Sequence, residues 1–224
     1  MFLHKHPYKP FIKKNTERLI VGTLPPPRFT TGDLQEKDVD FCYGSHHNSL
    51  WLYIDAIYNL NLRYDNSKEA ISQRKEFLIT HKIGVCDIVE SAERKKIDAS
   101  DLGMSAIKLR NIIGFLQDFP SIKNLLFIGG NSKNGPEYFF RKHLREYNLK
   151  LELVAKDTPK IHQFILPSGS AKQPERLIKT VSLTSSSGAA NISIGSNPLY
   201  KQLKAKNPDF NTFDFRVLQY REFL

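Results

Sequence analysis

Short apolar runs and amphipathic segments follow one another along most of the chain. The apolar runs predict buried strands over residues 18–22, 83–89, 124–129, 149–155, 160–166 and 179–185. Apolar residues at a spacing of three and four positions predict helices over residues 48–60, 67–80, 105–118, 136–147 and 197–206. Because alternating strands and helices are typical of α/β proteins, we expect a three-layer αβα fold with a doubly wound, mainly parallel central sheet.

Three loops of distinctive composition leave the ends of these strands. They are the Gly- and Pro-rich segment 22–27, the Gly- and Asn-rich segment 129–135 and the Ser-rich segment 185–191. Ligands of doubly wound sheets bind at the carboxyl ends of the strands. We therefore expect the three loops to meet in one site, with the segment before Asn48 close to the first of them.

The length of the chain limits the number of domains, and its charge suggests a class of partner. Its 224 residues fit one large domain, and we expect a basic N-terminal arm over residues 1–18 and a single domain over 19–224. Lys and Arg number 33 against 23 Asp and Glu, which gives a formal net charge of +10. This excess suggests a polyanionic partner, although net charge is equally compatible with ordinary solubility.

One stretch, residues 180–200, carries no charge and is rich in Ser, Gly and Asn. It lies between Lys179 and Lys201. Such a segment can bring backbone N–H groups close to the phosphates of a nucleic acid. A flexible surface loop is the other interpretation of the same composition.

Several classes of protein are disfavoured by what the sequence lacks. No run reaches the roughly 18 apolar residues of a membrane span. Cys42 and Cys86 are too few for a four-thiolate cluster or a disulfide framework, and we expect buried thiols in a reducing cytoplasm. His46 and His47 have no third ligand at suitable spacing, and residues 129–135 lack the pattern of a nucleotide-binding phosphate loop. We expect no metal and no cofactor.

Four motifs in a fixed order connect the chain with a known family. They are Gly22-Thr23-Leu24-Pro25-Pro26, residues 41–51 (FCYGSHHNSLW), residues 84–98 (beginning GVCDIV) and residues 183–188 (LTSSSG). In this order they resemble the uracil-DNA glycosylase superfamily, in particular its mismatch-specific and hypoxanthine-type branches. The resemblance covers most of the chain from Leu19 to about Asn191.

The resemblance implies a monofunctional DNA-repair enzyme that hydrolyses the N-glycosidic bond of a deaminated base such as uracil or hypoxanthine. In such enzymes the base leaves the stack and enters a pocket that reads its edge. By the resemblance, Asn48 orients the attacking water and Tyr43 stacks on the base. It also implies DNA as the partner, a monomer, and a nucleoid-associated location in the cytoplasm. The other implied residues bind the base (Gly22, Thr23, Leu24, Pro25 and Asp98) or the DNA (Ser185, Ser186, Ser187, Gly188, Ala189 and Lys201).

Three positions depart from the family's pattern. Leu24 stands where strong glycosylases carry Asp or Asn, so Asn48 is the remaining residue that can position water. The segment from Thr184 to Ser187 lacks the usual prolines. Ala189 replaces the bulky wedge that fills the space left by a flipped base, which predicts a slow enzyme, or one limited to single strands or mismatches. Residues 166–170 (LPSGS) are a rival match to the Ser-rich motif.

The residues themselves leave other interpretations open. Asn48 is also suited to capping the helix that carries Trp51, Tyr43 to the core, and Arg94 with Asp98 to a local pair. A nucleic-acid-binding protein with little or no catalysis on the same fold is the alternative function, favoured by Leu24 and the small residue at the wedge position. A small-molecule enzyme that binds a nucleotide at the strand ends is a third hypothesis.

Overall fold

The computed structural model describes residues 1–97, 101–168 and 174–224. Within these ranges the strands are β1 (Phe2–Lys5), β2 (Arg18–Gly22), β3 (Ile83–Asp87), β4 (Val89–Arg94), β5 (Met104–Leu109), β6 (Asn124–Ile128), β7 (Glu152–Ala155), β8 (Lys160–Leu166) and β9 (Arg176–Leu183). The helices are α1 (Arg28–Thr31), α2 (Leu50–Tyr58), α3 (Lys68–Thr80), α4 (Ile112–Asp118), α5 (Pro136–Glu146), α6 (Asn191–Gly195), α7 (Pro198–Lys206) and α8 (Thr212–Arg221).

Six of the strands form the central sheet, in the order β3-β2-β6-β9-β8-β7. The first four run parallel, whereas β8 and β7 are antiparallel additions at one edge. At the centre Val21 pairs with Cys86 on one side and with Phe127 on the other. Strands covered on both faces are apolar at successive positions, which is why the sequence shows them as short apolar runs. The predicted mainly parallel sheet is confirmed.

Helices cover both faces of this sheet. On one face α2, α3 and α8 contribute Trp51, Phe77 and Tyr220 to a buried cluster. On the other face α4 and α5 contribute Leu116 and Phe140 to a second cluster. This is the three-layer αβα arrangement that the alternating pattern predicts.

One predicted helix is wrong in its first half, because residues 104–109 form β5. This strand pairs antiparallel with β4, which also pairs with β1, so a three-stranded sheet stands beside the main one. Ile107 and Leu109 pack against the same core as α4, and their spacing of two residues suits a strand. The helix begins only after Asn111, whose side chain accepts a hydrogen bond from the Gly114 N–H.

The first eighteen residues are attached to the domain through two strands. β1 pairs along β4, and Phe11 forms an isolated bridge with Val85 of β3. His4 in β1 is completely buried, and its Nδ1 accepts a hydrogen bond from the Arg94 Nε at 2.9 Å. Burial, together with the Arg94 charge, lowers the pKa of His4 to about 4.

Stability will therefore fall as the pH drops from about 6.5 to about 4. In this window His4 stays neutral in the folded protein but takes up a proton in the unfolded chain, so acid favours unfolding. The shift in pKa corresponds to at most about 3 kcal/mol. Urea unfolding across this pH range measures the slope, and His4→Gln will flatten it. An unchanged slope would contradict the assignment, because His143 and His162, whose pKa values burial also lowers, account only for the remainder.

Both cysteines, Cys42 and Cys86, are free and buried, as expected. Burial raises the pKa of the Cys86 thiol to about 12, so this group stays protonated at neutral pH. Among the helices of the described residues, none combines the length and the apolar character needed to cross a lipid bilayer.

Candidate functional site

A cleft of about 620 Å³ opens at the carboxyl ends of the four parallel strands. Each of these strands contributes its last residue to the lining: Gly22, Asp87, Ile128 and Leu183. Parts of all three loops predicted from composition line the same cleft, together with segment 43–48. The volume is in the usual range for a small-molecule pocket. The prediction that the three loops meet at one site is confirmed.

The first loop is rigid and offers few hydrogen-bond donors. Residues 25–27 are prolines, which have no N–H group and restrict the chain direction into α1. The backbone N–H of Leu24, a residue of the cleft wall, makes no hydrogen bond within the described ranges. Gly22 allows a close approach, because a Cβ at this position would lie 2.6 Å from Asp87 Oδ1 and 2.9 Å from the Tyr43 hydroxyl oxygen.

A tight turn over residues 39–44 carries Tyr43 to the cleft. The Val39 N–H donates to the Gly44 carbonyl oxygen at 2.8 Å, and Tyr43 has a left-handed backbone conformation with φ of 58°. The Trp51 indole N–H donates to the Cys42 carbonyl oxygen at 2.9 Å. The buried Trp51 on α2 therefore fixes the backbone next to the aromatic ring that faces the cleft.

Tyr43 is 9% exposed and forms part of the cleft wall. Its hydroxyl donates a long hydrogen bond of 3.4 Å to the Cys86 carbonyl oxygen. Burial, followed by the charge of Asp87, raises the pKa of Tyr43 well above its usual value. The phenol is therefore neutral, and its contribution to the cleft is an aromatic face without a charge.

Asn48 lies directly before α2 and lines the cleft. Its side-chain oxygen accepts a hydrogen bond from the Leu50 N–H at 2.9 Å, so the residue also caps the first turn of the helix. Its backbone N–H donates to the Ser45 carbonyl oxygen, and a β-bridge joins it to Ser187. These bonds fix the orientation of the amide and leave its oxygen a second lone pair for a ligand or a water.

The Ser-rich loop is held by α8 and by the segment before α2. The Arg216 guanidinium donates to the Ser187 carbonyl oxygen at 3.1 Å. The Ser49 N–H donates to the Ser186 carbonyl oxygen, also at 3.1 Å. Two further side chains of α8 bind the backbone of Thr184 at 2.7 Å: Gln219 accepts from its N–H, and the Tyr220 hydroxyl donates to its carbonyl oxygen. The loop is therefore joined directly to the backbone next to Asn48.

The hydroxyl groups of this loop differ in their availability. Ser185 Oγ accepts from the Ser187 N–H at 3.2 Å, and Ser187 Oγ accepts from the Ala189 N–H at 3.4 Å. Ser186 is buried and lines the cleft, and its hydroxyl has no hydrogen-bond partner among the described residues. Because that oxygen is enclosed, Ser186 forms part of the cleft wall without presenting its hydroxyl to the cleft.

Most of the predicted site residues come together in this cleft. Those that line it are Gly22, Thr23, Leu24, Pro25, Tyr43, Asn48, Ser185, Ser186 and Ser187. Gly188 and Ala189 are exposed and do not line it, and Lys201 lies on α7 without lining it. Asp98 lies outside the described residues, as do positions 169 and 170 of the rival Ser-rich motif.

One cleft residue that the motifs did not single out for a role is Asp87, which is 6% exposed. Its Oδ2 lies 2.9 Å from His6 Nε2, and its Oδ1 has no hydrogen-bond partner among the described residues. Burial opposes ionisation, but the interaction with His6, together with a hydrogen bond from Tyr43 and the charge of Arg110, lowers the pKa of Asp87. An acid that ends an apolar strand was the available signal. Nothing local in the sequence connects it with His6, 81 positions away.

A second buried acid, Glu137, joins the cleft wall from the first turn of α5. Its carboxylate accepts a hydrogen bond from the Ser182 hydroxyl at 2.5 Å and forms an ion pair with Arg141 at 2.7 Å. The Arg141 Nη2 in turn lies 2.9 Å from His162 Nε2. These partners satisfy the carboxylate, so we assign this cluster to holding α5 against β8 and β9.

The histidine pair is part of the support of segment 43–48. The His46 and His47 rings are 3.8 Å apart, and His46 Nδ1 lies 3.0 Å from the buried Asp38. Although burial opposes ionisation, hydrogen bonds from Arg28, the Gln35 backbone and His46 lower the pKa of Asp38 below its usual range. Over the described ranges, no three potential metal-ligating acids, histidines or cysteines gather in one place.

Two comparisons with known proteins bear on this cleft. The chain is 29% identical over 137 residues to the hypoxanthine DNA glycosylase of Methanosarcina barkeri (strain Fusaro / DSM 804), a match that spans 61% of this chain and 76% of the relative. A solution NMR structure of a candidate uracil DNA glycosylase from Methanosarcina acetivorans matches with a TM-score of 0.53 and 18% identity, covering 96% of this chain and 99% of that one. No protein-family model matches. The structural match confirms the fold, and the sequence match bears out the resemblance to the hypoxanthine-type branch of the uracil-DNA glycosylase superfamily.

Proposed function

We propose that this chain, with the fold of the uracil-DNA glycosylases, is a monofunctional DNA glycosylase that hydrolyses the bond between deoxyribose and a deaminated base. The observation that carries the proposal is the fixed amide of Asn48 in a cleft whose wall also holds Tyr43. The relative's name favours hypoxanthine as the base, with uracil as the alternative. We expect a monomer that acts on the DNA of a reducing compartment such as the cytoplasm, where buried thiols persist.

Asn48 orients the attacking water. The Leu50 N–H occupies one lone pair of the amide oxygen, and the other can accept a hydrogen bond from a water in the cleft. A water held in this way is positioned to attack the anomeric carbon as the bond to the base breaks. Leu24 packs against the apolar core and offers no second polar side chain for this task. A single amide therefore positions the water, and we expect slow turnover.

Tyr43 and the first loop hold the base. The neutral phenol gives a flipped base an aromatic face for stacking. The Leu24 N–H can donate to a carbonyl oxygen of the base, where negative charge develops as the base leaves. These groups act on the leaving base, whereas Asn48 acts on the water.

The short helix α6 after the Ser-rich loop carries the side chain that we assign to the duplex. Ala189 is too small to fill the space of a missing nucleotide. Ile192 follows three positions later and is 87% exposed, and its neighbours Ala190 and Ser193 line the cleft. Isoleucine is one of the apolar side chains that proteins insert between stacked bases. Ile192 therefore replaces Ala189 as the wedge.

Ile192→Ala will slow base release from double-stranded DNA about tenfold and leave the rate on a single strand unchanged. A duplex closes over an unfilled space, and this costs a few kcal/mol of unstacking that a single strand does not need. Single-turnover rates on both forms of one oligonucleotide measure the difference. Leu199→Ala, which removes an exposed leucine from α7, is the matched control. An equal loss on both substrates would contradict the wedge role.

A panel of labelled oligonucleotides tests the proposed function. Each carries one hypoxanthine, uracil, xanthine or mismatched thymine, in single- and double-stranded form, and alkali converts an abasic site into strand scission. We expect scission with hypoxanthine or uracil. No scission across the panel, with DNA binding that weakens steeply in salt, would instead favour a non-catalytic nucleic-acid-binding protein. The observation behind that second candidate is the apolar side chain of Leu24 at the cleft wall.

A further inference from the structure

A second cavity, of about 320 Å³, lies beside the cleft and shares part of segment 43–48 with it. The segment separates the two cavities, because both are lined by Tyr43, Gly44, Ser45 and Asn48. The volume is at the lower end of the range for small-molecule pockets. The proposed reaction makes no use of this second pocket, although it adjoins the residue that we assign to the attacking water.

The charged residues that line the second pocket are both cations. Lys37 is exposed and Arg74 is completely buried, and no Asp or Glu of the described ranges lines the pocket. A buried charge is normally paired. Among the described residues, however, the Arg74 guanidinium donates only to the carbonyl oxygens of Arg63 and Ala70, both at 2.8 Å, and its Nε has no partner. The lining therefore carries a positive charge that no anion in it balances.

Two acids lie near Arg74, but each is engaged by another group. Asp55 accepts a hydrogen bond from the Tyr64 hydroxyl at 3.1 Å, and Asp65 forms an ion pair with Arg63 at 2.8 Å. Burial lowers the pKa of Arg74 to about 10, against the opposing effects of Tyr64, Asp55 and Asp65, so the guanidinium stays charged at neutral pH. Because this group is enclosed, it attracts an anion through the pocket wall without a direct hydrogen bond.

Aromatic and apolar side chains form another part of the wall. The guanidinium carbon of Arg74 lies 5.2 Å from the centre of the Trp51 ring and 5.1 Å from that of Tyr64. These contacts and the bond to Asp55 hold the Tyr64 ring, which stays partly exposed. Leu52, which also lines the pocket, is 38% exposed. A fixed aromatic ring among cations is the combination with which proteins bind single-stranded nucleic acids.

The two histidines of segment 43–48 connect the pocket with the cleft. His47 lines the cleft and His46 lines the pocket, and both are exposed. Their ring centres are 3.8 Å apart. Successive nucleotides of one strand are about 3.4 Å apart along the axis of a duplex. A strand with one nucleotide in the cleft can therefore pass over the histidine pair and place the next nucleotide in the pocket.

We propose that the second pocket binds the nucleotide next to the damaged one in the same strand, with its base against Tyr64 and Leu52 and its phosphate at Lys37. The inference rests on the proposed glycosylase function for the occupant of the cleft. A nucleotide must leave the stack to enter the pocket, and this costs least in a single strand or at a mismatch. The pocket therefore strengthens binding to single-stranded or locally opened DNA.

A double-mutant cycle between the protein and the DNA tests this inference. The probe is a fluorescein-labelled single-stranded oligonucleotide with an abasic analogue at the position of the lesion, from which the base of the 5′ or the 3′ neighbour is also removed. Fluorescence anisotropy gives the affinities. We expect removal on one side to weaken binding to the wild type about tenfold, as for one stacked base, and to have no effect in Tyr64→Ala. Equal losses in both proteins, on both sides, would overturn the inference.

Three further variants control for the fold and for charge. Tyr64→Phe keeps the ring and will retain the dependence on the neighbouring base. Lys37→Gln will reduce the slope of log affinity against log salt concentration by about 0.7, the value for one phosphate of a single strand. Lys68→Gln removes an exposed lysine of α3 that lines neither cavity, and it will leave the slope unchanged. If Tyr64→Ala does not fold, equal slopes in the two lysine variants would overturn the inference.

The outcomes separate this inference from the proposed function. A wild type that releases no base, but shows the coupling between Tyr64 and the neighbouring base, would overturn the function and leave the inference. An active wild type without the coupling would do the reverse. NMR titration with deoxyadenosine monophosphate is the last arm. A shift of the Trp51 indole signal in this titration, without coupling in the oligonucleotide, would assign the pocket to a free nucleotide and overturn the inference.

Discussion

Asn48→Ala will lower the single-turnover rate of base release by about 100-fold, the loss expected when an attacking group is misplaced by about 1 Å. The amide oxygen is held by the Leu50 N–H, and its second lone pair is the water-positioning acceptor of the proposed reaction. Leu24 on the first loop cannot replace it, because an apolar side chain does not orient water. Quenched-flow or manual sampling with the preferred oligonucleotide from the panel measures the rate.

A second substitution separates this role from helix capping. Loss of the Leu50 bond alone costs about 1 kcal/mol of stability, and an unstable variant also loses activity. Asn48→Ser keeps a side-chain oxygen that can cap α2 but lacks the reach of the amide. We expect Asn48→Ser to regain most of the unfolding free energy and to remain inactive. An Asn48→Ser protein with the wild-type rate would contradict the assignment.

Gly44→Ala will reduce the free energy of unfolding by about 3 kcal/mol or more, at the upper end of overpacking effects. A Cβ at this position would lie 1.8 Å from the Val39 carbonyl oxygen and 2.8 Å from that of Phe41. Both are backbone atoms of the turn that carries Tyr43, so relief requires breaking the turn. Urea unfolding monitored by the fluorescence of Trp51, in the adjacent helix, measures the change.

Gly130→Ala is the matched control, since this glycine also lines the cleft but has no atom within 4 Å of the added Cβ. We expect it to change stability by no more than about 0.5 kcal/mol. Similar losses in the two variants would show that the tight packing of the 39–44 turn is not what limits stability here.

The sequence predicts the central sheet well because a strand that is buried on both faces is apolar at successive positions. β2 and β6 lie between two layers of helices, and their apolar runs have few alternative interpretations. The sequence of β5 favours a helix because a half-exposed edge strand, paired only with β4, carries mixed polar and apolar positions. Its identity is decided by the partner strand, and β1 and β4 carry equally weak local patterns.

Some features of the cleft can be predicted from neighbouring residues in the sequence, whereas others depend on contacts between residues far apart in the chain. Tyr43 and Asn48 belong to one continuous motif, so a resemblance to a family is enough to bring them to attention. The contact between His6 and Asp87 exists only after the N-terminal segment has paired with β4 and β3, and no local pattern encodes it. The exposure of Ile192 is not encoded locally either, because it depends on how the uncharged segment turns after β9.

The hydrogen bonds that join α8 to the backbone of the Ser-rich loop have a consequence for the newly made protein. Arg216, Gln219 and Tyr220 follow the loop residues that they bind by 29 to 36 positions, and they fix the backbone of residues 184 and 187. While α8 is still inside the ribosome, this side of the cleft has no anchor from that helix. The order of synthesis therefore delays the anchoring of the Ser-rich loop until α8 has emerged, so the finished cleft forms well after its own wall residues have been made.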